Sequence, residues 1–168
     1  MSGLDIQLGK IIGALGEPQN VAQAGEFVRS AAVMNAPVGE SGHLRDNIFC
    51  ETYKEDDAYV AEVYTRVQYA HYVELGTGKR GAMNHSGISP EVSPSYTMEP
   101  WWIHESQLDI GIAEKYHWPY IDTPDGRFYR CEGQPAQPFM YPALKDNEET
   151  VLDILKDGYD EAMRRAIR

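Results

Sequence analysis

The chain has 168 residues, enough for one domain of ordinary size, and its 42% hydrophobic and 24% charged residues are typical of globular proteins. A net charge of −11, spread along the chain, repels phosphate groups and argues against sequence-specific DNA binding. No apolar run reaches the roughly 18 residues of a membrane helix, and the first residues lack the basic and apolar parts of a signal peptide.

The first quarter of the chain favours two helices. Apolar residues recur at helical spacing over residues 4–15, namely Leu4, Leu8, Ile11, Ile12 and Leu15. Pro18 should interrupt this helix, because proline cannot donate the backbone hydrogen bond of a helix interior. A second helix is expected over residues 21–34, ending before Pro37, and the glycine-containing residues 37–43 should form a loop.

Residues 48–67 carry the clearest strand pattern. Two runs, 48–54 and 59–67, alternate apolar and polar side chains with a period of two around an acidic turn. This pattern predicts an antiparallel β-hairpin.

The middle of the chain is less regular. A short helix is expected over residues 69–75, ending at Gly76, and residues 77–100 should form a long surface loop. Residues 101–114 are amphipathic, and their pattern does not decide between a helix and a strand.

Regular signals return in the last third. Residues 116–122 and 127–131 predict a second hairpin around the turn sequence TPDG, and prolines should keep residues 134–142 extended. The last helix is expected over residues 143–167, unless it begins after Asn147, whose acidic successors suit a helix N-terminus. Its expected apolar stripe consists of Leu144, Val151, Leu152, Leu155, Tyr159, Ala162, Met163 and Ala166.

Two short segments contain some of the residue types of a catalytic site or of a phosphate-binding loop. Ser41, His43 and Asp46 have the residue types of a nucleophilic triad, but their spacing is too local for triad geometry, so capping of a loop is the preferred interpretation. Residues 76–81, GTGKRG, lack the spacing of a phosphate-binding loop and fit a glycine-rich surface segment.

Aromatic residues are concentrated in one region and comprise Trp101, Trp102, Tyr116, His117, Trp118 and Tyr120. They favour a core or a protein interface, with stacking on sugars or single-stranded bases as the alternative. The neighbouring carboxylates Glu105, Asp109 and Glu114 are expected to be solvated.

The cysteines and the basic residues complete the inventory. Cys50 and Cys131 show no zinc-ligand spacing with the histidines. Two buried thiols are expected, and the sequence leaves a disulfide between them open. Arg164, Arg165 and Arg168 form the one basic cluster, which suits the negative C-terminal end of a helix dipole.

Three segments together form a more specific pattern. Residues 36–48 read APVGESGHLRDNI, residues 69–78 read YAHYVELGTG, and residues 134–144 read QPAQPFMYPAL. In order and spacing they resemble the tail-component family named for gene product ten of the lambdoid phage Hong Kong ninety-seven. The family pattern reads APVxTGxLRxSI, YAxYVExGT and PFxxPAL, from which Glu40, Ser41 and Asn47 depart mildly.

The resemblance implies one α+β domain over residues 1–168, in which an antiparallel β-sheet packs against long N-terminal and C-terminal helices. Residues 81–132 would be a variable aromatic loop and hairpin region. The family supplies no catalytic residue, cofactor or metal. Structural or interface roles are implied for the residues that carry the pattern, which are Pro37, Gly39, Gly42, Leu44, Arg45, Tyr69, Ala70, Glu74, Gly76, Thr77, Pro138, Phe139, Pro142, Ala143 and Leu144.

Some of these residues have individual roles under the resemblance. Gly76 would close the short helix and Thr77 would anchor the loop after it. Pro138 and Pro142 would keep the approach to the last helix extended. Phe139 and Leu144 would pack against the sheet.

The resemblance also implies a function. The chain would be a structural virion protein of a tailed bacteriophage or prophage, in the head–tail junction (neck) or a tail-completion ring, assembled in the host cytoplasm. Its partners would be copies of itself in a ring of hexameric or higher order and other neck and tail proteins. Double-stranded DNA would pass through the lumen without sequence-specific binding, and no membrane would be involved.

Two other functions stay open at this point. A minor tail or baseplate protein could contact a host glycan or receptor through the aromatic region. A small hydrolase would need a carboxylate or histidine pair in a cleft, and the sequence offers no clear candidate.

Overall fold

Helices alternate with antiparallel strands along the chain, so the computed structural model confirms the expected α+β fold class. It describes residues 6–13, 18–39, 41–115 and 117–167. The expectations for Leu4, Leu15, Glu40, Tyr116 and Arg168 lie outside these residues.

The first sheet contains β1 (Ile6–Gly13), β2 (Ile48–Glu55) and β3 (Ala58–Thr65) in the order β1-β3-β2. Strands β2 and β3 form the predicted hairpin, with Ile48 opposite Thr65 at its open end. Asp56 in the turn has a φ of 53°, a left-handed conformation that aspartate adopts more readily than most residues.

Strand β1 corrects the helix that was expected over residues 4–15. Its backbone pairs antiparallel with β3, and a register shift between Gln7 and Lys10 marks a β-bulge. A bulge interrupts the alternation by which a strand is recognised, so the apolar spacing fitted a helix instead. Gly9 and Gly13 disfavour a helix, whereas pairing with β3 gives the backbone its hydrogen bonds.

Helix α1 (Pro18–Asn35) lies across one face of this sheet. Proline occupies its first turn, where no backbone donor is needed, and the helix ends at Asn35 as the sequence predicted. Its buried stripe consists of Val21, Ala24, Gly25, Val28 and Ala32. A Cβ on Gly25 would lie 2.6 Å from both Ala61 Cβ and Cys50 Sγ, so helix and sheet pack too closely there for a side chain.

Three short helices connect the sheet to the rest of the chain: α2 (His43–Asp46), α3 (Ala70–Leu75) and α4 (Gly78–Met83). The structure confirms α3. Helix α4 lies within the expected loop 77–100, and α2 begins at the last residue of the expected loop 37–43, because helices of one or two turns leave little periodicity in a sequence. Residues 84–100 contain no regular element, and the hydroxyl of Tyr96 anchors them by donating to Leu75 O at 2.8 Å.

The second sheet contains β4 (Trp101–His104), β5 (Tyr120–Thr123) and β6 (Gly126–Cys131) in the order β4-β6-β5. Strands β5 and β6 form the second predicted hairpin around the TPDG turn. The undecided residues 101–114 contain β4, a 3₁₀ turn at Glu105–Gln107 and the start of α5 (Ile110–Lys115).

The C-terminal region forms two helices, α6 (Tyr141–Lys145) and α7 (Glu148–Ala166), rather than one helix over residues 143–167. Asn147 lies between them, and its side-chain amide donates to Ala143 O at 2.9 Å. The alternative start after Asn147 was therefore the better prediction. Among the described residues, no helix is long and apolar enough to cross a membrane.

Helix α7 packs against α1, but most of its expected apolar stripe is not buried. Val151 is 5% exposed, whereas Leu152, Tyr159 and Met163 are 51%, 38% and 44% exposed. An amphipathic pattern identifies the apolar face of a helix but not what covers it, and within this subunit little covers the second half of α7.

Phe139→Ala is expected to lower the free energy of unfolding by roughly 3–5 kcal/mol, because a fully buried phenyl ring would leave a cavity in the core. Urea unfolding followed by circular dichroism measures the loss. Met83→Ala, at a position that is 75% exposed, is the control. Equal losses for the two variants would contradict the role of Phe139 in the core.

Candidate functional site

A buried carboxylate joins the second and third segments of the family-like pattern. Glu74 on α3 is 5% exposed, and its side chain accepts three backbone hydrogen bonds. Oε2 accepts from Phe139 N at 2.7 Å and from Met140 N at 2.9 Å, and Oε1 accepts from Tyr141 N at 3.0 Å. These N–H groups lie just before α6 and at its first residue, so no carbonyl of the helix can accept from them. The Glu74 carboxylate supplies the missing acceptors.

Two backbone segments run side by side next to Glu74. Thr77 N donates to Gln134 O at 2.9 Å, and Gln134 N donates back to Thr77 O at 3.1 Å. Gly133, with a φ of 86°, lies so close to this pair that an added Cβ would be 1.9 Å from Thr77 O. Glycine is needed here both for its backbone conformation and for the close approach.

The first segment of the pattern caps the end of α1. Arg45 donates from Nε to Ala36 O at 2.7 Å and from Nη2 to Met34 O at 3.3 Å, which satisfies carbonyls beyond the last helical hydrogen bonds. Leu44 beside it is buried in the core, and Gly42 supports the turn with a φ of 65°.

The other pattern residues divide between core and surface. Ala70, Phe139 and Ala143 are fully buried, and Leu144 is partly buried against the same core. Pro37 and Pro138 are half-buried, Gly39 and Tyr69 are exposed, and Pro142 is half-buried in the first turn of α6 rather than in the extended segment before it. The buried pattern residues stabilise the fold of this chain. Of the residues in this paragraph, the exposed Gly39 and Tyr69 are the ones that a partner can contact.

The two groups that imitate functional motifs have local roles. Ser41 Oγ accepts from His43 N at 3.3 Å, and the His43 ring nitrogen Nδ1 lies 3.2 Å from Asn47 Nδ2, so Ser41 and His43 serve the loop and α2. Within residues 76–81, Arg80 N donates to Glu132 O at 3.2 Å, so this backbone donor is occupied by the protein itself.

Both cysteines are free thiols, which settles the open disulfide. Burial and the nearby Glu26 carboxylate raise the pKa of Cys50 to about 11, so this thiol stays protonated at neutral pH. Among the residues that the structure describes, no group of three or more histidine, cysteine or acidic side chains is arranged to hold a metal ion.

The aromatic region divides between a small core and an exposed surface. Tyr129 and Cys131 of β6 are buried, whereas Trp102, Tyr120 and Ile121 are 45%, 52% and 45% exposed. Two clefts of about 560 and 540 Å³ adjoin this sheet and share His117, Trp118 and Pro119 as lining. His117 has a φ of 52°, a conformation that is uncommon for residues other than glycine.

Residues 159–167, the second half of α7 and the residue after it, form a further surface, whose exposure the sequence did not show. This C-terminal arm exposes every residue except the half-buried Ala162. Its exposed apolar side chains Tyr159, Met163 and Ile167 follow one another at intervals of four residues and therefore lie along one stripe.

Residues 9–76 match a family model described as "Bacteriophage HK97-gp10, putative tail-component". The resemblance is confirmed for this segment, which is less than half of the chain and contains the first motif and most of the second. The third motif lies outside the match and is joined to it by Glu74. The chain shows no significant similarity to a curated protein or to a solved structure.

Glu74→Ala is expected to lower the free energy of unfolding by roughly 3–5 kcal/mol, because three backbone donors would lose a charged acceptor. Glu74→Gln should retain part of that stability, since an amide offers one acceptor oxygen instead of two. Denaturant unfolding compares both variants with Glu149→Gln, a change at an exposed site in α7. If Glu74→Gln and Glu149→Gln unfold alike, the carboxylate does not hold the third segment.

Proposed function

We propose that this protein is a structural component of a phage tail and that it assembles as a ring at the head–tail junction or at the end that completes the tail. The observation that carries the proposal is the match of residues 9–76 to a phage tail-component family. The link from Glu74 to residues 139–141 supports extending the proposal to the C-terminal part of the chain, because it makes the third motif part of the same core.

A ring of identical subunits needs two different surfaces on each copy, which meet head to tail. The exposed apolar residues of this chain occur in separate places, among them the second sheet and the C-terminal arm. Several partners can therefore be contacted at once, as a junction between a head, a tail and neighbouring copies requires. The number of copies is expected to be six or more.

The charge of the chain suits a conduit for DNA. The chain has 15 lysines and arginines against 26 aspartates and glutamates. A lumen built from this chain would therefore repel the phosphate backbone of DNA. Double-stranded DNA would pass without sequence-specific binding. The proposed location is the virion, and the host cytoplasm during assembly.

A second candidate is contact with a host glycan or receptor by a minor tail or baseplate protein. It is favoured by the cleft of about 540 Å³ that is lined by Trp118, Tyr120 and Tyr129 together with Arg127 and Glu114. Aromatic faces with a few charged groups suit a sugar ring. Phages carrying Trp118→Ala that assemble normally but adsorb poorly to the host would favour this candidate over the junction.

Deletion of the gene is expected to leave DNA-filled heads and separate tails in the lysate, because the two cannot join without the junction ring. Electron microscopy of the lysate scores the particles, and expression of the intact chain from a plasmid should restore joined virions. Joined, infectious particles in the deletion strain would refute the proposed location, whereas heads joined to tails of abnormal length would move the protein to tail completion.

A further inference from the structure

Strands β5 and β6 place four polar or aromatic side chains on one face of the second sheet. Tyr120 lies opposite Tyr129 and Asp122 lies opposite Arg127, so the alternation of the strands puts all four on the same side. The contacts agree, because the two tyrosine rings have centroids 5.8 Å apart and Arg127 Nε donates to Asp122 at 2.8 Å. The cleft of about 540 Å³ adjoins this face, and α5 and the residues after it supply the rest of its lining.

The hydroxyl of Tyr129 lacks a hydrogen-bond partner among the described residues, although Tyr129 is 1% exposed and lines the cleft. Asp122 first and the Tyr129 hydroxyl second raise the pKa of Arg127, which places the hydroxyl beside a guanidinium that also lines the cleft. Arginine offers no acceptor, so this proximity leaves the hydroxyl proton unsatisfied. Buried polar groups without a partner are rare, because their lost hydration is not compensated. A bound molecule can supply the missing acceptor.

The charges of the lining favour an uncharged ligand. Arg127 and Glu114 line the cleft, and Arg127 is already paired with Asp122. An anion would meet Glu114 beside an arginine whose charge is neutralised, and a cation would meet Arg127, and like charges in contact are costly. An uncharged molecule avoids both costs if it carries a donor for Glu114 and an acceptor for Tyr129.

Aromatic rings supply the apolar part of the lining. Trp118 is half-buried, and Tyr120 is 52% exposed with the Arg127 guanidinium 4.0 Å from the centroid of its ring. Apolar walls with a few polar groups are typical of small-molecule sites, whose volumes run from about 300 to 1,000 Å³. A pyranose matches both parts, because the face of its ring is apolar and each of its hydroxyls can donate and accept.

We propose that the cleft over Tyr129 binds one uncharged sugar ring. An oxygen of the sugar accepts from the Tyr129 hydroxyl, a sugar hydroxyl donates to Glu114, and the face of the ring packs against Trp118. Hydroxyls on one rigid ring supply the donor and the acceptor together at little conformational cost. The inference rests on the second candidate function, and it names the class of sugar and the group that selects it.

Removal of one hydroxyl separates binding from folding. Tyr129→Phe should leave the free energy of unfolding unchanged or raise it, because the hydroxyl has no partner to lose. The same change should weaken sugar binding about tenfold, since the sugar loses a hydrogen bond. Tyr64→Phe is the matched control. Tyr64 is buried as well, but its hydroxyl donates to Glu51 at 2.5 Å, so this variant should lose stability and bind sugar normally.

The probes are free glucose, galactose and N-acetylglucosamine, with glucuronate and glucosamine as charged counterparts. Saturation-transfer difference NMR with the intact chain measures binding. At least one uncharged sugar should bind about tenfold more tightly than either charged counterpart, because the cleft opposes both signs of charge.

A charge variant tests the same selection from the protein side. Glu114→Gln retains an acceptor oxygen but removes the negative charge, so it should strengthen the binding of glucuronate about tenfold and change that of the uncharged sugar little. Glu149→Gln changes the net charge equally at an exposed site in α7 and should affect neither sugar. Equal gains in the two variants would overturn the site, because the overall charge alone would then govern binding.

Purified surface polysaccharide of the host distinguishes the two sources of such a sugar. Competition with the bound free sugar supports a glycan as the source, and its absence supports a free sugar as the ligand. The inference is overturned if neither the free sugars nor the polysaccharide bind at about 10 mM sugar units. It is also overturned if Tyr129→Phe binds as tightly as the intact chain, or loses as much stability as Tyr64→Phe, because water or the protein would then already satisfy the hydroxyl.

The outcomes separate this site from the functions proposed above. Sugar binding together with normal adsorption of phages carrying Trp118→Ala would uphold the site and reject host contact. Poor adsorption of those phages without sugar binding by the isolated chain would overturn the site and retain host contact. The deletion phenotype decides the location at the head–tail junction independently of both.

Discussion

The carboxylate of Glu74 is the interaction on which the rest of the architecture depends. A charged group that is 5% exposed is costly to bury, and here three backbone N–H groups compensate for the lost water. Those donors belong to residues 139–141, so the same contact that satisfies the carboxylate places Phe139 and Met140 in the core beneath α1. The position of α6 relative to the first sheet therefore follows from one side chain on α3.

The same junction isolates the second sheet from the core. Thr77 and Gln134 are joined by two backbone hydrogen bonds, so the segment between them begins and ends at one point. A segment with fixed, adjacent ends can change in length at a small entropic cost and without moving the core. An insertion or deletion within residues 81–132 is therefore expected to leave the core intact.

The sequence predicted the helices and strands whose pattern lies within their own residues. The hairpin of β2 and β3 follows from alternation around an acidic turn, and α1 follows from its buried stripe between two prolines. Strand β1 was missed because its strand state depends on pairing with β3, some fifty residues away, which no local pattern records. The partner of Glu74 lies 65 to 67 residues away and was equally invisible. One signal was available in the sequence. Glu74 stands between the apolar residues Val73 and Leu75, which suggests a buried carboxylate that needs hydrogen-bond donors.

The exposed stripe of the C-terminal arm and the acidity of the chain have a common consequence. Acidic surfaces keep DNA and other copies at a distance, while the stripe has no counterpart within its own subunit. A contact between copies then has to gain its free energy mainly from the exposed apolar side chains, which lie on the arm and on the second sheet among other places. Salt screens the repulsion between acidic surfaces beyond about 8–10 Å but does not screen apolar burial, so association of copies is expected to strengthen as salt is added.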